Sequence, residues 1–142
     1  MAPVLGCIAD DFTGATDLAN MLVRGGLRTI QLLGVPKSDS HIPDVDAIVI
    51  ALKSRTIEPE IAISQSLQSL EWLQKFGTQQ FFFKYCSTFD STDKGNIGPV
   101  IEALMKALDV DFTIACPAFP RLEGQYSKAI YLLVMLCFQI LI

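Results

Sequence analysis

The chain has 142 residues, enough for one domain with its own core. Hydrophobic residues make up 51% and charged residues only 18%, which excludes a disordered chain. The net charge is −4 and the eleven basic residues are scattered singly, so no nucleic-acid partner is expected.

Val4 to Ala9 is a short apolar run and predicts a buried strand. Asp10 and Asp11 follow it directly. Thr13 to Arg24 then reads as a helix, with Ala15, Leu18, Ala19 and Leu22 near helical spacing, and Gly25-Gly26 ends it. Leu27 to Leu33 predicts a second strand. Gly34 to Asp44 is a loop rich in Pro, Ser and Asp. "AIVIAL", Ala47 to Leu52, is a continuous β-branched run of the kind buried on both faces. Thr56 to Phe76 predicts a helix. Thr56 is its expected cap, Glu58 and Glu60 suit its positive end, and Pro59 fits its first turn. Ile63, Leu67 and Leu70 form its apolar stripe, and Gly77 stops it. Phe81 to Tyr85 predicts a strand, followed by a polar loop from Cys86 to Gly95. Asn96 is the expected cap of a third helix bearing Ile97, Val100, Ile101, Leu104 and Leu108. Phe112 to Cys116 predicts one more strand, ended by Pro117 and Pro120. This alternation implies an α/β fold: an open, mainly parallel, Rossmann-like sheet with helices on both faces.

The cysteines, Cys7, Cys86, Cys116 and Cys137, form no C-x-x-C pair, and His41 is the only histidine. A zinc-type metal site is therefore not expected. Nothing suggests a disulfide scaffold, so a reducing, cytoplasmic setting fits best. Met1 to Gly6 lacks the features of a signal peptide. Ala129 to Ile142 is almost wholly apolar but too short for an ordinary membrane span. Membrane association is not expected.

In an open parallel sheet, ligands gather beyond the carboxyl ends of the strands. Three polar segments stand there. The first is Asp10-Asp11-Phe12-Thr13-Gly14. Its carboxylates suit substrate hydroxyls, a cation or a general-base role. A helix cap beside a solvated acid is the plain alternative. It is not a phosphate-binding P-loop, since no G-x-x-x-x-G-K-[ST] is present. The second is Lys53-Ser54-Arg55, two cations suited to a carboxylate or phosphate, or else to solubility. The third is "KYCSTFDST", Lys84 to Thr92, whose hydroxyls and Asp90 suit a polyhydroxylated ligand. Lys84 either reaches that ligand or snorkels from its strand. Together these residues describe a pocket for a small, acidic, hydroxylated molecule. They do not name a reaction.

"LGCIADDFTGATDLANMLVRGG", "VIALKSRT", "FFFKYCSTFDSTDKGNIGPV" and "DFTIACPAFP" resemble the N-terminal half of the four-carbon acid sugar kinases, nearest to the 3-oxo-tetronate kinase branch. The resemblance runs from Leu5 to Pro120. It implies an N-terminal domain that holds the sugar acid and a C-terminal domain that binds ATP with Mg. Phosphate would pass to the terminal hydroxyl of the acid. Carried over by motif, Asp10, Asp11, Thr13 and Asp17 would line the hydroxyl end of the substrate. Lys53 and Arg55 would meet its carboxylate or otherwise anchor it, Ser54 would bind the substrate beside them, and Lys84, Ser87, Thr88, Asp90 and Ser91 would complete the wall. Asp11 or Asp10 would be the base. A small sugar acid is then the expected partner, self-association is allowed for, and no cofactor or metal is expected on this chain alone. An inactive sugar-acid-binding module and a non-functional remnant are the alternatives to a kinase part.

After Pro120 the text departs from the family, which continues as G-R-T-hydrophobic-aromatic-x-G-x-L-F-V-G-D. One permitted coding of "EGQYSKAIYLLVM", moved by one base, reads R-T-I-F-K-G-Y-L-F-V-G-D. Residues 1–120 are thus expected to be the domain and 121–142 a frameshifted apolar tail. A genuine alternative end is the competing expectation, and sequencing the DNA across codons 118 to 135 separates the two.

Overall fold

The computed structural model describes residues 2–37, 42–86, 92, 94–115 and 140–141. In chain order these form β1 (Leu5–Ala9), α1 (Phe12–Arg24), β2 (Thr29–Leu33), β3 (Ala47–Ala51), α2 (Pro59–Lys75), β4 (Gln80–Lys84), α3 (Ile97–Leu108) and β5 (Ile140–Leu141). The sheet order is β2-β3-β1-β4-β5. The first four strands are parallel, with Leu5 level with both Ala47 and Gln80. The expected α/β architecture is therefore present.

Strand alternation divides the core into two layers. Leu5, Cys7, Ala9, Ala47, Val49, Ala51 and Phe82 face one way and bury Ala15, Leu18 and Leu22 of α1. Ile8, Ile48, Ile50, Phe81 and Phe83 face the other way, against α2 and α3. The first face is rich in small residues and takes one helix. The second is bulkier and takes two, which also pack on each other. Helices therefore cover both faces, as the continuous apolar strands require.

Gly6 shows how closely α2 sits on β1. A Cβ there would lie 3.0 Å from both Leu73 Cδ1 and Thr78 Cγ2. Leu73 is fully buried and has nowhere to go. Gly6→Ala is expected to destabilise the fold by about 1–3 kcal/mol through overpacking. A urea midpoint equal to that of the wild type would contradict this.

Several boundaries differ from the sequence expectation. The second helix begins at Pro59, not Thr56; Glu58 is its N-cap and makes no side-chain cap bond. The proline fixes the first helical position, and Thr56 lies two residues before the N-cap position. Asn96 is the N-cap residue of α3, yet its side chain does not cap the helix. Between Phe112 and Ala115 only Ile114 makes an isolated bridge, and Cys116 lies outside the described residues. Beside β4 stands β5, antiparallel, pairing Leu141 with Phe82.

At the end of the sheet away from the strand carboxyl termini, Arg28 ties β2 to the segment entering β3. Its guanidinium bonds Asp44 and Asp46 at 2.8 Å each, and its backbone N–H donates to Asp46. These bonds hold the Asp46 carboxyl down at about 2. The cluster is exposed and structural, and it locks the two strands in register.

Candidate functional site

The carboxyl ends of β1, β3 and β4 meet at one place because β1 lies between the other two. Asp10 leaves β1 with its N–H bonded to Lys84 O and its C=O accepting from the Ser54 and Arg55 amides. Its side chain is almost wholly buried, 5% exposed. Burying a carboxylate is costly unless it is paired. The partner is Arg55, whose Nε donates to Asp10 Oδ2 at 3.1 Å and whose Nη2 donates to Oδ1 at 2.8 Å. This is the fork-to-fork arrangement that guanidinium favours. Asp10 in turn holds the Arg55 guanidinium protonated well beyond its ordinary range.

Asp11 takes a different part. It adopts extended backbone, and its Oδ1 accepts the Gly14 N–H at 2.8 Å as the cap of α1. The same Oδ1 lies 3.1 Å from Arg55 Nη2. A Cβ on residue 14 would sit 2.6 Å from that oxygen, so the Thr-Gly step leaves room for the carboxylate. Among the described residues no hydrogen bond is made to Asp11 Oδ2. The cap reading is met by Asp11; Asp10 is not a solvated acid but is buried against Arg55.

Lys84 ends β4 beneath Gly14, with its side chain buried and its ammonium donating to Tyr85 O. Burial pushes its pKa down, against the pull of Asp10 and Asp11. Between that lowered value and the ordinary 10.5 the unfolded chain holds more protons, so this group makes stability rise with pH in that window. In urea titrations at pH 7.5 and pH 10, wild type is expected to gain on Lys84→Met at the higher pH. An unchanged or reversed difference would count against a buried ammonium.

The other expected site residues divide. Ser54 is buried on the loop between β3 and α2. Thr13 and Asp17 are exposed on α1. Lys53 is exposed and lines a separate groove of about 790 Å³ with Phe12, Val35, Leu52, Ile57 and Ile61. Lys53 thus faces that groove, whereas Arg55 faces the two aspartates. Ser87, Thr88, Asp90 and Ser91 lie outside the described residues.

Asn96, expected only as a helix cap, joins the site. Asn96 Nδ2 donates to Ser54 O at 2.6 Å, Ile57 O at 2.8 Å and Arg55 O at 3.3 Å. With Asp10, Ser54, Arg55 and Cys86 it lines a cavity of about 30 Å³, room for water and not for a sugar acid. A ligand of that size would have to lie over the carboxylate pair, outside this cavity. Among the described residues no three His, Cys, Asp or Glu side chains could hold a metal ion. Asp10 spends both carboxylate oxygens on Arg55, so the aspartate pair does not present two free carboxylates to a Mg ion. No helix among the described residues is long and apolar enough to cross a membrane.

An α/β domain with paired carboxylates at the central strand ends is the class that fold and site define. A family model described as a sugar-binding N-terminal domain matches residues 5–133, and the chain belongs to that family. It is 68% identical over 119 residues to a Burkholderia multivorans protein named 3-oxo-tetronate kinase, covering 84% of this chain and 28% of the relative. A crystal structure of a Haemophilus influenzae protein shares 58% identity and a TM-score of 0.78, over 81% of this chain and 28% of that one. A Bordetella bronchiseptica domain of the same fold, crystallised with bound citrate as a domain-swapped dimer, shares 30% identity and a TM-score of 0.67, over 83% of this chain and 29% of that one. The chain thus spans just over a quarter of the curated relative's length.

Proposed function

We propose that this chain is the sugar-acid-holding part of an ATP-dependent kinase that phosphorylates a four-carbon acid, a 3-oxo-tetronate or tetronate, at its terminal hydroxyl. The observation that carries this is the division of labour between adjacent aspartates. Asp10 spends both oxygens on Arg55, while Asp11 keeps Oδ2 for a ligand. ATP would supply the phosphoryl group from the part that the longer relatives contain. Asp11 Oδ2 accepts the proton of the attacking hydroxyl, and Arg55 keeps both carboxylates in place. With Arg55 engaged, Lys53 is the better anchor for the substrate carboxylate. Thr13 and Asp17, and the hydroxyls of Ser87, Thr88 and Ser91 with Asp90, serve the ligand's other hydroxyls. The citrate in the Bordetella domain, itself a hydroxy acid, supports a site of this chemistry in the family. That domain's swapped dimer supports self-association as part of the same reading.

Calorimetry with the four-carbon acid threonate tests the binding step directly. The chain is expected to bind it and to show no ATP-dependent turnover alone. Absent binding by the wild-type chain would end the reading.

A further inference from the structure

We infer that Asn96 is the positioning residue of this site: it fixes the loop that presents Arg55 to the two aspartates. Asn96 is 42 residues away from Ser54 in sequence but touches it through the shortest side-chain bond of the group, 2.6 Å. An amide NH2 has two hydrogens. The 2.6 and 2.8 Å bonds to Ser54 O and Ile57 O take them, and the 3.3 Å contact to Arg55 O shares one. The two main acceptors flank Arg55 on both sides. No acceptor-only or apolar side chain could replace these bonds. The loop from Ser54 to Glu58 contains a turn but no helix or strand.

The connections form a closed circuit. Asp10 C=O accepts the Ser54 and Arg55 amides from one side. Asn96 accepts nothing there; it pulls the carbonyls of the same loop from the other side. Arg55 is left with its backbone gripped twice and its guanidinium aimed at Asp10 and Asp11. A long side chain pays rotamer entropy to hold one geometry, and a fixed backbone lowers that cost. Asn96 is itself buried, at the start of α3, so the brace is anchored to a helix rather than to a mobile turn. The chain enters it through a turn in which Gly95 N–H bonds Thr92 O. The polar loop between β4 and α3 therefore ends on the residue that sets Arg55. This bears on ligand binding only through the sugar-acid reading above, but the brace itself can be tested without any ligand.

The Arg55 Nε–H, bonded to Asp10, is the reporter, in nitrogen–proton correlation spectra of the intact chain. Arg55→Lys assigns the signal by its loss. The Arg28 Nε–H, bonded to Asp46 at the far end of the sheet, is the internal control. In Asn96→Ala the Arg55 signal is expected to lose its dispersed position and exchange with water at least tenfold faster, while the Arg28 signal stays. Threonate affinity is expected to fall at least tenfold in the same variant. An unmoved Arg55 signal in folded Asn96→Ala would overturn the inference. Should that variant fail to fold, Asn96→Asp keeps the shape and removes the donors. Loss of both arginine signals in both variants would also overturn it, because Asn96 would then serve folding alone. If wild type fails to bind threonate but the Arg55 signal moves as expected, the sugar-acid reading fails and the brace stands.

Discussion

Asp10→Ala is expected to cost the fold about 3 kcal/mol, the low end for breaking a buried ion pair. The low end applies because Arg55 retains about a third of its side-chain exposure and can recover some water, whereas Asp10 cannot. The converse change, Arg55→Ala, is expected to cost at least as much, since it strands the more buried of the two charges. The double variant is then expected to be more stable than the sum of the single effects by about 0.5–3 kcal/mol, the range for groups that share one network. Urea unfolding of all four proteins measures this. Additive single effects would show that the 2.8 and 3.1 Å bonds do not couple in solution. The result matters for function because it separates a structural aspartate from a chemical one. Arg55, which the resemblance offered to the substrate's carboxylate, bonds Asp10 and Asp11 in the structure. Its guanidinium is committed to the protein's own carboxylates.

Local patterns explain how far the sequence could be read. β1, β3 and β4 are uninterrupted apolar runs, and α1 and α3 carry their apolar residues at helical spacing, so their places were legible. Gly26 and Gly77, at φ 96° and 80°, ended helices where glycine alone is comfortable. What was not legible depends on distance along the chain. That Asn96 reaches back to Ser54 has no local signature, and a residue before a helix looks the same whether it caps or braces. The strand expected from Phe112 is observed only as the isolated bridge at Ile114, with Cys116 outside the described residues, while β5 stands beside β4. In the site, the sequence placed Asp10, Asp11, Arg55 and Lys84 together correctly by the strand-end rule. It could not tell which aspartate was committed, because that depends on a bond across 45 residues.

That division leads to the largest functional effect expected. Asp11→Asn should leave folding within about 1 kcal/mol of wild type, because asparagine caps helices as well as aspartate does. The amide oxygen can still accept the Gly14 N–H. The Arg55 contact loses its charge, but Asp10 retains the two stronger bonds. What the amide cannot do is take a proton. In a full-length kinase of this family carrying the change, kcat is expected to fall by about 10²–10⁴, the usual worth of a positioned base. KM for the four-carbon acid should move far less, since hydrogen bonding to the ligand survives. Asp10→Asn should behave in the opposite sense, losing stability first. A kcat within about tenfold of wild type for Asp11→Asn would remove Asp11 as the base. Equal loss of stability in both variants would show that the pair acts as one structural unit, and the base would have to be sought elsewhere.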